Sequence, residues 1–153
     1  MVRCFDWNTN TLNIETNTGI KFNLVLKGYK TIVCGNSATG KTLLCNVING
    51  YMQDSLNDPV LRKYNTDNIF ILNAQNKQEL KTIRYKLIIV DRADLILDDT
   101  DIEIINSDTD INKYLIFSRK PLGIYISPNY FGELKDKGDG IEIEYLFNVG
   151  GWN

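Results

Sequence analysis

One eight-residue motif constrains the fold of this chain more than any other feature. It matches the phosphate-loop pattern G-x-x-x-x-G-K-[ST] at every fixed position and reads Gly35-Asn36-Ser37-Ala38-Thr39-Gly40-Lys41-Thr42. A loop of this kind needs a buried strand before it and a helix after it, because its backbone amides converge where the strand ends. The chain has suitable segments on both sides, so the motif predicts a strand–loop–helix unit within an α/β domain.

The residue types of this loop fit a triphosphate. Gly35 and Gly40 allow backbone conformations that a Cβ would block, so successive N–H groups can point into one hollow. Lys41 is expected to reach the β- and γ-phosphates, and the Thr42 hydroxyl is expected to coordinate Mg²⁺. The dipole of the following helix favours an anion at the same point. The predicted nucleotide contacts are therefore Gly35, Asn36, Ser37, Ala38, Thr39, Gly40, Lys41, Thr42 and Leu43.

The elements around the loop follow from hydrophobic periodicity. Thr31 to Cys34 is apolar and β-branched, which is typical of a buried strand, and the apolar positions from Leu43 to Met52 have helical spacing. Further strands are predicted at Asn68 to Leu72, Lys86 to Val90 and Lys113 to Phe117. Strands that alternate with short helices predict a layered α/β domain with a largely parallel sheet.

Other segments predict hairpins and short helices. Two antiparallel hairpins are expected, one from Thr11 to Lys27 and one from Phe131 to Phe147, and both are expected at the edges of the sheet. Asp58-Pro59 predicts a short helix that ends near Tyr64. Lys77 to Arg84 predicts one or two helical turns.

A second pattern supplies the metal side of the site. The segment from Tyr85 to Val90 reads as an apolar strand, and Asp91 follows it directly. In doubly wound sheets, ligands bind at the carboxyl ends of the strands, so Asp91 is expected at the binding edge. A carboxylate there can hold Mg²⁺ through its water shell. The predicted metal residues are therefore Thr42 and Asp91, with a strand cap as the alternative role for Asp91.

With both motifs in place, the chain resembles the P-loop NTPases of the ATPase branch, in which an extra strand separates the loop strand from the Walker B strand. Lys113 to Phe117 resembles that inserted strand, with Ser118 at the sensor position. The two hairpins resemble those of the ABC-type ATPases. The resemblance implies a three-layer P-loop NTPase fold with a mostly parallel central sheet and antiparallel hairpins at its N- and C-terminal edges. It also implies catalytic roles for Lys41, Asp91 and Ser118.

The resemblance fails at the position after Asp91. Hydrolytic members usually carry a glutamate there to activate water, whereas this chain has Arg92, which cannot accept a proton. Asp94 and Glu79 are candidate replacements, with structural surface charge as the alternative for each. Arg119 could contact a γ-phosphate in cis or act as a finger in trans, or it could be a solvated loop arginine.

Two other features are interpreted as structural. Trp7 and Tyr29 could stack on a base, but core or edge packing is favoured for each of them. The acidic segment from Asp98 to Glu103 could bind a cation, but a solvated loop is favoured.

Composition excludes several classes of function. The chain has 153 residues and no histidine, so histidine-based acid–base catalysis, Ser-His-Asp triads and histidine-ligated zinc are excluded. Its net charge is −2 and no basic run stands out, so it has no clear footprint for nucleic acid. Cys4, Cys34 and Cys45 form no C-x-x-C pair, which predicts neither a disulfide framework nor a zinc ribbon.

Length and hydropathy predict a single domain over residues 1–153 and no contact with a membrane. No apolar run approaches the length that spans a bilayer. The first residues, Met1 to Asn8, hold no apolar signal-peptide core, so we expect a cytoplasmic protein.

These observations predict a small protein that binds ATP and Mg²⁺. The first interpretation is an ATPase whose nucleotide state governs association with a protein partner or with itself. The alternative is a non-hydrolysing, nucleotide-gated interaction module, which Arg92 favours. A small-molecule or nucleotide kinase ranks lower, because no lid with clustered arginines is visible. GTP is disfavoured because Asn112-Lys113 does not continue as the guanine-reading motif N/T-K-x-D.

Overall fold

The computed structural model describes residues 2–34, 40–57, 63–120, 122–126 and 130–146, with the backbone alone described at 54–57. Gly35, Asn36, Ser37, Ala38 and Thr39 of the predicted loop lie outside the described residues. So does most of the helix predicted from Asp58, although Tyr64, at its expected end, belongs to a strand.

Eleven strands occur in the described chain: β1 (Val2–Arg3), β2 (Phe5–Asp6), β3 (Thr11–Glu15), β4 (Lys21–Val25), β5 (Lys30–Val33), β6 (Tyr64–Asn65), β7 (Ile69–Leu72), β8 (Leu87–Val90), β9 (Lys113–Phe117), β10 (Phe131–Asp136) and β11 (Ile141–Tyr145). The helices are α1 (Lys41–Asn57), a 3₁₀ helix (Lys77–Lys81), α2 (Ala93–Ile96) and α3 (Asp99–Ser107). The predicted strand before the loop, the helix after it and the strands that became β7, β8 and β9 are therefore confirmed.

Nine of these strands form one mixed sheet in the order β2-β3-β4-β11-β10-β5-β9-β8-β7, and β1 pairs with β6 separately. The run β10-β5-β9-β8-β7 is parallel. The pairs β2–β3, β3–β4 and β10–β11 are antiparallel, whereas β11 lies parallel to β4. β9 lies between β5 and β8, which is the position that the resemblance implied for Lys113 to Phe117.

The predicted fold class, a three-layer P-loop fold with a mostly parallel sheet flanked by helices, is wrong. The sheet is mixed, and helices make up only 25% of the chain. Both predicted hairpins form, but β10–β11 is not at an edge: Phe131 is in register with Ile32, and Ile141 with Phe22. The alternation of apolar and polar residues along a hairpin identifies its two strands, but it does not identify the strands that pair with them. Here the neighbouring strands carry Ile32 and Phe22, which are fully buried.

The acidic segment after Asp98 is the start of α3, not the predicted solvated loop. The Asp98 carboxylate accepts a bond from the Asp101 N–H at 2.9 Å, and the Asp101 carboxylate accepts one from the Asp98 N–H at 3.0 Å. Lys77 pairs with both acids, at 3.3 and 3.1 Å. Ile105 is fully buried. Helix capping, charge pairing and this apolar contact therefore stabilise a helix that the acidic composition of the segment did not predict.

Two clusters of buried side chains enclose the parallel strands. Leu87 and Ile89 of β8 belong to the cluster that contains Leu44 of α1, whereas Ile88 and Val90 belong to the cluster that contains Ile105 of α3. All four β8 side chains are fully buried. Because both faces of β8 are packed, the residue that follows it has a fixed position at the carboxyl edge of the sheet.

No helix in the described part of the chain combines the length and the apolar character that crossing a bilayer would require.

Candidate functional site

The candidate site is built around the start of α1. The Gly40 carbonyl accepts the first helical hydrogen bond, from the Leu44 N–H at 2.9 Å. Gly40 has a φ of +96°, a conformation that side-chain-bearing residues rarely adopt, so glycine is required here by the backbone. The N–H groups of Lys41, Thr42 and Leu43 lie in the first turn, where an α-helix offers them no internal partner.

The first turn of α1 has no acidic residue, although the helix is 17 residues long. Its N-terminal partial positive charge is therefore not offset by a carboxylate within that turn. Leu43 is 37% exposed and Thr42 is exposed, so this end of the helix faces solvent. The first turn is thus suited to an external anion.

Thr42 and Asp91 meet across the sheet edge. The Thr42 hydroxyl donates to Asp91 Oδ2 at 3.4 Å, beyond the usual length of about 2.5–3.0 Å for an O–H···O bond. Asp91 directly follows β8, while α1 follows the loop after β5, and β9 lies between those two strands. The structure therefore brings together the two predicted metal residues from segments 49 positions apart.

These two groups fit the ligand chemistry of Mg²⁺. Mg²⁺ prefers oxygen ligands and keeps several waters, and in nucleotide sites it takes one or two carboxylates together with phosphate oxygens. Thr42 and Asp91 offer one hydroxyl and one carboxylate. Within the described ranges no group of three or more His, Cys, Asp or Glu residues could hold a metal by itself. A magnesium ion at this edge would thus depend on phosphate and water for its other ligands.

Lys41 is the buried charge of the site, with only 7% of its surface exposed. Burial raises the pKa of the Cys34 thiol, the Lys41 ammonium opposes that rise, and the Glu133 carboxylate adds to it. Both charged groups therefore lie close enough to Cys34 to affect it, at the carboxyl end of β5. Cys45 in α1 has a pKa of about 12, raised by burial and then by Asp91.

Ser118, the predicted sensor residue, closes a local turn. It follows β9 at the same sheet edge and is 2% exposed. Its hydroxyl donates to the Lys120 carbonyl at 2.7 Å and accepts from the Lys120 N–H at 3.1 Å. In this arrangement its proton is directed at the Lys120 carbonyl, so donation to a nucleotide would require the hydroxyl to rotate.

Asp94 and Arg119, two predicted catalytic residues, bind each other. Arg119 donates to Asp94 Oδ2 through Nε at 3.4 Å, and its Nη2 forms an ion pair with the same oxygen at 3.3 Å. The Asp94 side chain is only 7% exposed, whereas that of Arg119 is 69% exposed. The pair joins the segment after β8 to the segment after β9, and it engages one of the two oxygens of the Asp94 carboxylate.

The other two candidate residues, Arg92 and Glu79, are both exposed. Arg92 is exposed and has left-handed backbone angles, φ 53° and ψ 49°, which turn the chain sharply after Asp91. Such strain in a non-glycine residue is often found at functional sites. Glu79 is exposed on the 3₁₀ helix, beyond β7 at the edge of the sheet. Neither side chain has a described hydrogen bond or ion pair with Thr42 or Asp91.

Trp7 and Tyr29 pack as the favoured interpretation predicted. Their rings meet edge to face at 6.3 Å, and the Lys113 ammonium lies 4.5 Å from the Trp7 ring centre and 5.4 Å from that of Tyr29. Lys113 also donates to the Trp7 carbonyl at 2.7 Å. Lys113 begins β9, so these rings lie at the amino end of the parallel strands, opposite the candidate site.

Sequence reasoning missed Glu133. It is half-buried and follows Gly132, which is in register with Val33 at the end of β5. Its side chain pairs with Lys135 at 3.4 Å. The missing information was the pairing of β10 with β5, because a hairpin assigned to the sheet edge would place Glu133 away from the site.

Comparisons with protein-family models, with curated proteins and with solved structures found no match for this chain. We therefore infer a function from the residues of the site alone.

Proposed function

We propose that this chain binds the triphosphate of a nucleotide together with Mg²⁺ at the start of α1. The contact between Thr42 and Asp91 carries the proposal, because it joins a helix-start hydroxyl to a strand-end carboxylate at 3.4 Å. The buried Lys41 and the acid-free first turn of a 17-residue helix supply positive charge beside it. Phosphate binding by the start of α1 does not require the layered fold that the resemblance implied.

ATP is the nucleotide we propose, and hydrolysis that governs association with a partner or with a second copy is the proposed use. A guanine-reading motif is lacking in the sequence. We also propose a cytoplasmic location, which agrees with three cysteines that are all free thiols.

A second candidate function is a nucleotide-gated module that does not hydrolyse ATP. The observation that favours it is the ion pair between Asp94 and Arg119 at 3.3 Å, which occupies the carboxylate nearest to Asp91 in sequence. Arg92 cannot serve as the base because a guanidinium stays protonated. In this function the bound nucleotide changes the affinity of the module for its partner and is not hydrolysed.

Binding is tested by titrating a fluorescent ATP analogue against wild type and Lys41→Met. Methionine keeps most of the aliphatic stem and removes the ammonium, so we expect affinity to fall roughly 10- to 150-fold, since a charge-assisted bond contributes about 1.5–3 kcal/mol. Lys81→Ala is the matched control, because Lys81 is an exposed lysine of the 3₁₀ helix. Equal affinities for wild type and Lys41→Met would refute nucleotide binding at this site.

Hydrolysis is tested separately by measuring phosphate release with Mg²⁺ over a range of protein concentrations. Turnover that Asp91→Asn abolishes would support the ATPase and exclude the module. Tight binding of ATP with no phosphate release, at any protein concentration, would exclude the ATPase and support the module. Arg119→Gln, which frees the Asp94 carboxylate, would then show whether the ion pair is what prevents hydrolysis.

A further inference from the structure

A groove lies between α3 and the segment 122–126, away from the start of α1. It has a volume of 460 Å³, within the range of about 300–1,000 Å³ that is typical of binding pockets. One wall is a single face of α3, because Asp99, Ile102, Glu103 and Asn106 follow the helical repeat. The other wall contains Leu122 and Tyr125. We call this feature the α3 groove.

The two walls of the α3 groove are fixed to each other by Asn106. Its side-chain amide donates to the Gly123 carbonyl at 3.0 Å and accepts from the Tyr125 N–H at 2.8 Å. Ile124, between those two residues, is only 7% exposed and anchors the segment in the core. The groove is therefore a preformed feature of the fold, and Tyr125, at 78% exposure, projects beside it.

The chemistry of the α3 groove is apolar and acidic. Ile102, Leu122 and Tyr125 supply the apolar surface, and Asp99 and Glu103 supply two carboxylates. Among the described residues, Lys77 pairs with Asp98 and Asp101 instead, and neither groove carboxylate has an ion pair. Lys81 lies on the far side of Glu103, where it lines a neighbouring groove of 360 Å³. No described residue that lines the α3 groove is a lysine or an arginine.

Both walls of the α3 groove are continuous with the candidate site. α3 follows Asp91 through the short helix α2, and Leu122 follows Ser118 and Arg119. The Asp94–Arg119 ion pair joins these two segments at 3.3 Å, at positions that lie between the site residues and the groove residues in sequence.

We propose that the α3 groove is the docking site for a cationic segment of a partner protein. Lysine or arginine side chains of that segment pair with Asp99 and Glu103, and one apolar side chain packs between Ile102, Leu122 and Tyr125. Charge complementarity selects this occupant, because an acidic groove without its own cations repels anionic segments and nucleic acid. We add that the bound nucleotide changes the affinity of the groove for this segment, and this second part rests on the proposed function.

Docking is tested by fluorescence anisotropy with a labelled peptide in which lysines and arginines flank one leucine. The comparison peptides replace its basic residues with glutamate, or its leucine with serine. We expect the basic, leucine-containing peptide to bind best, and Glu103→Lys and Tyr125→Ala each to weaken it roughly tenfold. The matched controls are Asp139→Lys, an exposed charge reversal elsewhere, and Tyr85→Asn, which removes a ring that is 72% exposed.

Backbone amide NMR shifts locate the bound peptide. Shifts at Asn106, Gly123 and Tyr125 support docking in the groove. The proposal is overturned if all three peptides bind alike or not at all, or if Glu103→Lys and Tyr125→Ala behave like the two controls.

Nucleotide sensitivity is measured by repeating the titration with Mg²⁺ and ATP on wild type and on Lys41→Met. A change of peptide affinity in wild type alone supports the coupling. Unchanged affinity in a wild type that binds ATP refutes the coupling and leaves docking intact, whereas failure of ATP to bind at all refutes the proposed function itself.

Discussion

The helices α1 and α3 begin in opposite ways. At α3 the chain supplies its own anions: Asp98 and Asp101 cap each other's N–H groups at 2.9 and 3.0 Å, and Lys77 balances their charge. At α1 the preceding residue is a glycine, the first turn has no acid, and a buried lysine and a strand-end carboxylate lie at the start of the helix.

This difference shows two roles for the partial positive charge at the start of a helix. A helix start that the chain closes with its own carboxylates stabilises the fold. A helix start whose first turn holds no carboxylate attracts an external anion more strongly. Substitutions at α3 are therefore expected to change stability and not nucleotide affinity, whereas substitutions at α1 are expected to change nucleotide affinity more than stability.

The largest expected effect comes from making α1 resemble α3. Leu43→Asp places a carboxylate at the third position of α1, which corresponds to Asp101 in α3. We expect it to keep or raise the melting temperature through the helix dipole, while ATP affinity falls roughly 10- to 100-fold by repulsion of the triphosphate. Leu43→Asn is the neutral control of equal size. Retained ATP affinity in Leu43→Asp would contradict a phosphate site at this helix start.

An intermediate effect is expected from opening the cap of α3. Asp98→Ala removes the acceptor for the Asp101 N–H and one partner of Lys77, so Tm should fall by roughly 2–4 °C. ATP affinity should not change. Asp98→Asn is the control, since an amide oxygen can still cap the helix and should recover most of the loss. A large loss of ATP affinity in Asp98→Ala would break the separation between the two helices.

The same cap has a pH dependence with a definite sign. The Asp101 N–H, and then Lys77, lower the pKa of Asp98 below its ordinary value of 3.8. The stability that ionised Asp98 contributes is therefore fully present above pH 3.8 and is lost as pH falls through its lower, folded-state pKa. Denaturation midpoints measured from neutral pH downward should fall more steeply for wild type than for Asp98→Asn. Parallel curves for the two proteins would argue against this linkage.

The smallest expected effect on folding is that of Thr42→Ala. Its hydroxyl is exposed and its contact with Asp91 is long, so the free energy of unfolding should change by less than about 0.5 kcal/mol. Urea denaturation of wild type and Thr42→Ala measures the difference. A loss of several kcal/mol would mean that this contact is a structural bond and not a site for a ligand.

Local patterns predicted the elements of the fold, but not their arrangement. The apolar runs that form β5, β8 and β9 are buried on both faces, and such runs identify themselves in sequence. The neighbours of the β10–β11 hairpin depend on contacts such as Ile141 with Phe22, which join residues more than a hundred positions apart. The hydrophobic periodicity within β4 or within β11 does not indicate that the two strands pair.

The meeting of Thr42 and Asp91 was predictable from two local patterns. Thr42 lies in the first turn of the helix that follows β5, and Asp91 directly follows β8, so both lie at the carboxyl edge of the parallel strands. The Asp94–Arg119 ion pair was not predictable, because it joins two turns by side-chain contact alone. It makes the two catalytic candidates partners of each other, which the types and positions of the two residues did not indicate.

The most direct test of the account is a double-mutant cycle on the affinity for ATP in the presence of Mg²⁺. Wild type, Thr42→Ala, Asp91→Asn and the double variant are titrated with and without the metal. The account predicts non-additive losses with Mg²⁺, a coupling of about 0.5–3 kcal/mol, and nearly equal affinities without it. Additive losses, or the same differences with and without Mg²⁺, would contradict a shared role of Thr42 and Asp91 in holding a metal–triphosphate complex.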